Sequence, residues 1–228
     1  MTSALARRMT AELVGTAFLV MAVVGSGIAA QRLSPGDIGL QLLENSLVTG
    51  AALVALILAL QPVSASFNPV VSVVERLLGR ITSAEAVFSV AAQVAGGIAG
   101  CVLANLMFEL EALTVATHHR ASGAALLAEA VATVGLVVVV FGSLRTGRPE
   151  TVAYAVGGYI TAAYWFTSST SFANPAVTVA RMFSDSFAGI APSSVPAFVL
   201  MQLVGGGLAL ALVLVLFPIP ATQEVTRD

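Results

Sequence analysis

Two asparagines carry the chemistry that this chain offers. Asn68 opens Asn68-Pro69-Val70 and Asn174 opens Asn174-Pro175-Ala176, each just ahead of a short apolar run. Asparagine is a strong helix N-cap, and proline suits the first helical position because its missing N–H has no partner to lose there. The carboxamide has a second capability, since its NH₂ can donate hydrogen bonds to a passing molecule. Capping alone gives no reason for two such helices at matched positions, so both amides are expected to line a pore. Two carboxylates join them. Glu12 and Glu129 lie inside apolar segments, where a charge costs at least about 2.5–3.5 kcal/mol. They are either steps of a proton relay or acceptors for irregular backbone. The symmetric placement, with no other mid-span acid to continue a relay, favours acceptors.

The chain that positions these groups is 57% hydrophobic and 10% charged over 228 residues, against about 25% charge in a soluble domain. That composition predicts a polytopic membrane protein, here a single domain over 1–228. A net charge of −2 offers no basic surface for nucleic acid, and one cysteine, Cys101, excludes an internal disulfide framework. Cys101 is read as a packed core residue. No cofactor or metal site is expected. His118 and His119 are adjacent, lack further ligands nearby in sequence, and are read as a solvated loop. Arg7 and Arg8 precede an apolar run. With no small-residue cleavage site, that run is read as a retained first span rather than a signal peptide.

Six segments are long enough to cross a bilayer: 11–30, 42–61, 84–107, 124–143, 151–169 and 196–217. The Asn-Pro runs are too short and follow the second and fifth. The expected fold is therefore all-α, with six transmembrane helices and two re-entrant half-helices. The halves repeat, roughly 7–110 and 122–220: Ala11-Glu12 matches Ala128-Glu129, Asn68-Pro69 matches Asn174-Pro175, and Gln93 matches Gln202. Three spans per copy is odd, so the copies must be inverted, a design that places the solute site where the repeats meet. Gly96, Gly100, Gly205 and Gly206 are read as close-packing positions between helices. The chain has no lysine. Arg7, Arg8, Arg76, Arg80, Arg145, Arg148 and Arg227 fall on one side and Arg32, Arg120 and Arg181 on the other, which predicts cytoplasmic termini.

With these motifs in place, the sequence resembles the major intrinsic proteins, the aquaporins and aquaglyceroporins, over nearly its whole length. The resemblance implies an aquaporin-like fold and a homotetramer with one pore per subunit. It also implies donor amides at Asn68 and Asn174, buried support from Glu12 and Glu129, and a constriction built of an arginine and an aromatic residue. The sequence departs from the family at three points. Val70 stands where the first box usually has alanine, Ser66 where many members have histidine, and Val177 where the constriction arginine normally follows the second box. Counting from the family places the filter at Thr49, Ala162, Ser171 or Phe172, and Val177. That set predicts a wide, weakly polar, arginine-free neck. Arg181, one turn beyond Val177, has two readings: a partial replacement for the missing charge at the mouth, or, the one expected, a partner of Asp185 or a headgroup contact.

The implied activity is passive conduction of small, mainly uncharged solutes across a bacterial plasma membrane. Arsenous acid, small organic arsenicals and glycerol-like polyols are the candidates, with water possible. The similarity to bacterial aquaglyceroporin-like channels associated with arsenic resistance motivates the arsenicals. A proton-coupled transporter using Glu12 and Glu129, or an ordinary water and glycerol channel, are the alternatives. An intramembrane enzyme finds no support, because neither a His-Glu-x-x-His nor a Gly-x-Ser-x-Gly motif occurs.

Overall fold

The computed structural model describes residues 2–218, so Arg227 and the last residues of the second repeat lie outside the described residues. Eight α-helices follow in order: α1 Ser3–Leu33, α2 Ile38–Leu60, α3 Pro69–Leu77, α4 Ser83–Met107, α5 Gly123–Arg145, α6 Val152–Phe166, α7 Pro175–Ala180 and α8 Val195–Leu216. Five of the long helices have the length and apolarity to cross a membrane. The sixth, α6, has only 15 α-helical residues after a 3-10 turn at Pro149–Thr151. It stops short of the expected 169. Thr167 to Ser171 is a run of hydroxyl side chains, which compete for nearby backbone groups and weaken a helix interior.

Both half-helices begin as their sequences require. Asn68 and Asn174 have extended backbone, each followed by proline in the first turn. Asn68 Oδ1 accepts from Val70 N at 3.0 Å, and Asn174 Oδ1 accepts from Ala176 N at 3.0 Å and Val177 N at 3.3 Å. α3 runs nine residues and α7 only six before a 3-10 turn at Arg181–Phe183. The outer surface carries apolar side chains such as Phe18, Leu47, Leu127, Leu200 and Val215, as lipid contact demands.

Small residues set the helix spacing. A Cβ on Gly96 or Gly100 would collide with the backbone carbonyls of Leu13 and Ala17, so α4 lies directly against α1. In the second half, Gly205 faces the Ala130 carbonyl on α5. Gly206 has a different neighbour: one methyl group of Val70, Cγ1, fills the space where its Cβ would stand. The enlarged first box is thus accommodated by a glycine on α8. Gly96→Leu should separate α1 from α4, and a fall in detergent melting temperature of several degrees, with loss of monodisperse protein, is the expected readout. An unchanged melting temperature would contradict this packing.

Candidate functional site: the paired helix tips and their cavity

The tips of α3 and α7 meet through reciprocal hydrogen bonds. Asn68 Nδ2 donates to the Ala173 carbonyl at 2.7 Å, and Asn174 Nδ2 donates to the Phe67 carbonyl at 2.7 Å. Each amide uses one N–H in this bond and keeps a second donor. Phe67 and Ala173 both adopt left-handed backbone, with φ of 47° for each. Such a conformation costs a non-glycine residue about 1–2 kcal/mol.

The buried glutamates hold those turns. Glu12 accepts from Ser66 N at 2.9 Å, Phe67 N at 2.8 Å, Gln93 Nε2 at 2.7 Å and the Ser64 hydroxyl. Glu129 accepts from Phe172 N and Ala173 N, both at 2.9 Å, and from Gln202 Nε2 at 2.6 Å. Each glutamine reaches on to its half-helix, Gln93 to Ser72 Oγ at 2.9 Å and Gln202 to Thr178 Oγ1 at 2.8 Å. The carboxylates are fully engaged with backbone and glutamine, and their desolvation cost is offset by charge-assisted bonds. That geometry is support for the tips.

A cavity of about 80 Å³ runs past the tips. Its wall combines aliphatic side chains, among them Leu19, Ile57, Val71, Val140 and Val156, with the polar groups of Thr49, Ser66, Asn68, Tyr164, Ser171, Asn174 and Arg181. Among the described residues no acidic side chain lines it. Val71 and Val177, three residues after each asparagine, are both in the wall. Of the two boxes only the asparagines line the cavity. Pro69, Val70, Pro175 and Ala176 are buried behind them, because a helix presents one face and the first turn rotates the others into the protein.

Three filter expectations change. Thr49, Ser171, Phe172 and Val177 line the cavity, whereas Ala162 is exposed on the outer surface of α6. The inward face of α6 is Val152, Val156, Ile160 and Tyr164, a four-residue stripe from which Ala162 is turned well away. Tyr164 therefore supplies an aromatic wall, and its hydroxyl lies 3.1 Å from Thr49 Oγ1. Nor is the neck arginine-free. Arg181 is 2% exposed and lines the cavity, with its guanidinium carbon 3.4 Å from the Phe172 ring centroid and its Nε donating to the Ala188 carbonyl. The expected pairing with Asp185 is absent: Asp185 instead accepts from Thr117 N and Oγ1. The loop at 184–191 folds back and offers Arg181 a carbonyl, and no local spacing announces that. The four-residue stripe on α6 was a signal that could have found Tyr164.

Beyond the neck, a second cavity of about 160 Å³ is lined by His118, His119, Arg120, Ser122, Ala125, Ser168 and Ser169. The histidines are exposed, and no group of three metal-ligating side chains occurs among the described residues. Burial, then the Arg120 charge, holds the His118 imidazole below its ordinary pKa. Cys101 is buried in the apolar core. Among the described residues the one ion pair is Arg8–Glu75 at 3.1 Å, with Ser66 Oγ donating to the same carboxylate oxygen at 2.8 Å.

Five helices long and apolar enough to cross a bilayer, the shorter α6, and two half-helices meeting at asparagine tips define a transmembrane channel of the aquaporin-like fold. Residues 1–151 match the family model for major intrinsic proteins, and the chain belongs to that family, whose members are channels rather than enzymes. It is 51% identical over 209 residues to "Aquaglyceroporin AqpS" of Rhizobium meliloti (strain 1021), covering 91% of this chain and 89% of that protein. It is 32% identical to "Aquaporin TIP2-1" of Arabidopsis thaliana, with 89% and 84% of the two chains covered. The X-ray structure of the aquaglyceroporin from Plasmodium falciparum shares the fold, with a TM-score of 0.69 at 16% identity over 91% of this chain and 94% of the other.

Replacing Glu129 by glutamine leaves one acceptor oxygen for three donors. Each lost charge-assisted bond is worth about 1.5–3 kcal/mol. Glu129→Gln should therefore lower the melting temperature and abolish solute flux together. A proton relay predicts instead a stable protein that keeps downhill flux and loses only uptake against a gradient.

Proposed function

We propose that this protein conducts small, mainly uncharged hydroxylated solutes passively through the cavity that passes Asn68 and Asn174. Glycerol-like polyols, arsenous acid (a polyol-like hydroxide) and small organic arsenicals are the solutes, with water accompanying them. The observation that carries this is the wall itself, which combines aliphatic side chains with amide and hydroxyl groups and the Arg181 guanidinium and has, among the described residues, no carboxylate to hold a cation. A polyol places its carbons on the aliphatic side chains and its hydroxyls on the donors. The helix N-termini at the tips each carry about half a positive charge and oppose cations. The name of the Rhizobium relative supports glycerol-type solutes.

The roles follow from position. Asn68 and Asn174 donate at mid-lumen, Glu12 and Glu129 support the tips, and Thr49, Tyr164, Ser171, Phe172, Val177 and Arg181 form the filter. Two inverted repeats, about 7–110 and 122–220, build one channel domain. The arginine distribution supports cytoplasmic termini in a bacterial plasma membrane, and family resemblance supports a homotetramer. A water-selective channel is the rival reading, and Tyr164, Phe172 and Arg181 in the neck favour it.

Stopped-flow light scattering on proteoliposomes decides between them. Glycerol and arsenous acid flux well above empty vesicles is expected; water flux with neither solute would reject the polyol reading. Val177→Arg adds a second guanidinium one turn from Arg181. It should cut glycerol and arsenous acid flux severalfold while reducing water flux less.

A further inference from the structure

The neck holds a cation, Arg181, that pairs with no carboxylate among the described residues. Arg181 is 2% exposed, and among the described residues its side chain makes one hydrogen bond, from Nε to the Ala188 carbonyl. Its two terminal nitrogens have no partner among the described residues, and the side chain lines the cavity. Ser171, also in that wall and 3% exposed, has a buried hydroxyl with no hydrogen-bond partner. Arg120 approaches the same Phe172 ring, its guanidinium carbon 5.3 Å from the centroid. It is held there by the Gly189 carbonyl at 2.8 Å and the Phe187 carbonyl at 2.9 Å. Burial lowers its pKa to about 10, so it is charged at neutral pH.

Two cations thus share one ring, and the carboxylates nearby are spoken for. Asp185 is taken by Thr117 and Glu129 by the tip of α7. The Phe172 face offers Arg181 about 0.5–2 kcal/mol. The C-terminal end of α7, where Arg181 caps the helix, adds a partial negative charge. Neither neutralises a buried guanidinium, whose desolvation is costly without an anion.

We propose that this neck is a binding site for a small monovalent oxyanion of carboxylate shape. The two terminal nitrogens of Arg181 take its two oxygens as a fork, the Ser171 hydroxyl donates a third bond, and Arg120 draws the anion in from the outer cavity. The mid-lumen helix tips do not repel an anion, but beyond Val177 the wall offers only a few neutral donors among aliphatic side chains, too few to replace its hydration. The anion therefore rests in the neck and obstructs neutral solutes. The obstruction rests on the channel reading above; the binding does not.

Formate is the probe. In proteoliposomes, sodium formate on both sides should slow glycerol flux through the wild type in a saturable manner. Sodium gluconate at equal ionic strength, too large for the neck, should not. Isothermal titration of formate into detergent-solubilised protein reads the site independently of flux. Binding should weaken about tenfold or more in Arg181→Gln, the loss expected for a charge-assisted bond of roughly 1.5–3 kcal/mol. Arg181→Lys should keep part of it. Should Arg181→Gln fail to fold, Ser171→Ala keeps the charge and should weaken binding severalfold. No formate binding by folded wild type, equal binding by Arg181→Gln or by Ser171→Ala, or equal slowing by gluconate overturns the site. Formate binding in a protein that passes no glycerol would leave the site standing and remove the channel reading instead.

Discussion

Two short helices are held tip to tip by a pair of amide–carbonyl hydrogen bonds, Asn68 to Ala173 and Asn174 to Phe67. Everything else serves that junction. To point their carbonyls across it, Phe67 and Ala173 must turn left-handed, and their N–H groups then face away from any helix. At membrane depth an unpaired N–H costs several kcal/mol. Glu12 and Glu129 meet that demand from neighbouring helices, and Gln93 and Gln202 tie each carboxylate to its half-helix. The acids are buried because the tips need them there.

The junction also shapes the cavity. With the box prolines, Val70 and Ala176 turned inward to the protein, only the asparagine amides and the valines three residues on reach the wall. Val70 is therefore a packing variation, answered by Gly206. Val177 differs in lying in the cavity wall itself, where a valine brings neither charge nor the bulk of an arginine. The charge returns from Arg181, one turn later, on a guanidinium laid against Phe172. A cation from that position sits nearer the mouth than one at Val177 would. It also depends on a loop carbonyl, that of Ala188, rather than on its own helix.

Much of this was legible in the residues. Helix number, the two abrupt half-helix starts and the pairing of Glu12 with Glu129 follow from apolar length, from Asn-Pro and from internal repetition. Those signals are local or are copied within the chain. The exact filter was less legible. Counting from a neighbour's pattern gave Ala162, whereas the stripe Val152, Val156, Ile160, Tyr164 places the tyrosine inward. A two-residue error on a helix turns a side chain by about 200°, so register decides whether the neck is aliphatic or aromatic.

The sequence by itself determined a membrane-embedded, duplicated helical chain with two capped half-helices, because hydropathy, capping and repetition are properties of adjacent or repeated residues. Only the tertiary structure decided that Tyr164 on α6 meets Thr49 on the neighbouring α2 and that Arg181 abandons Asp185 for Phe172 and the Ala188 carbonyl. Each of these contacts joins segments that fold together from different elements. Their partners are chosen by burial and by unmet hydrogen bonds, quantities that exist only once the helices have packed.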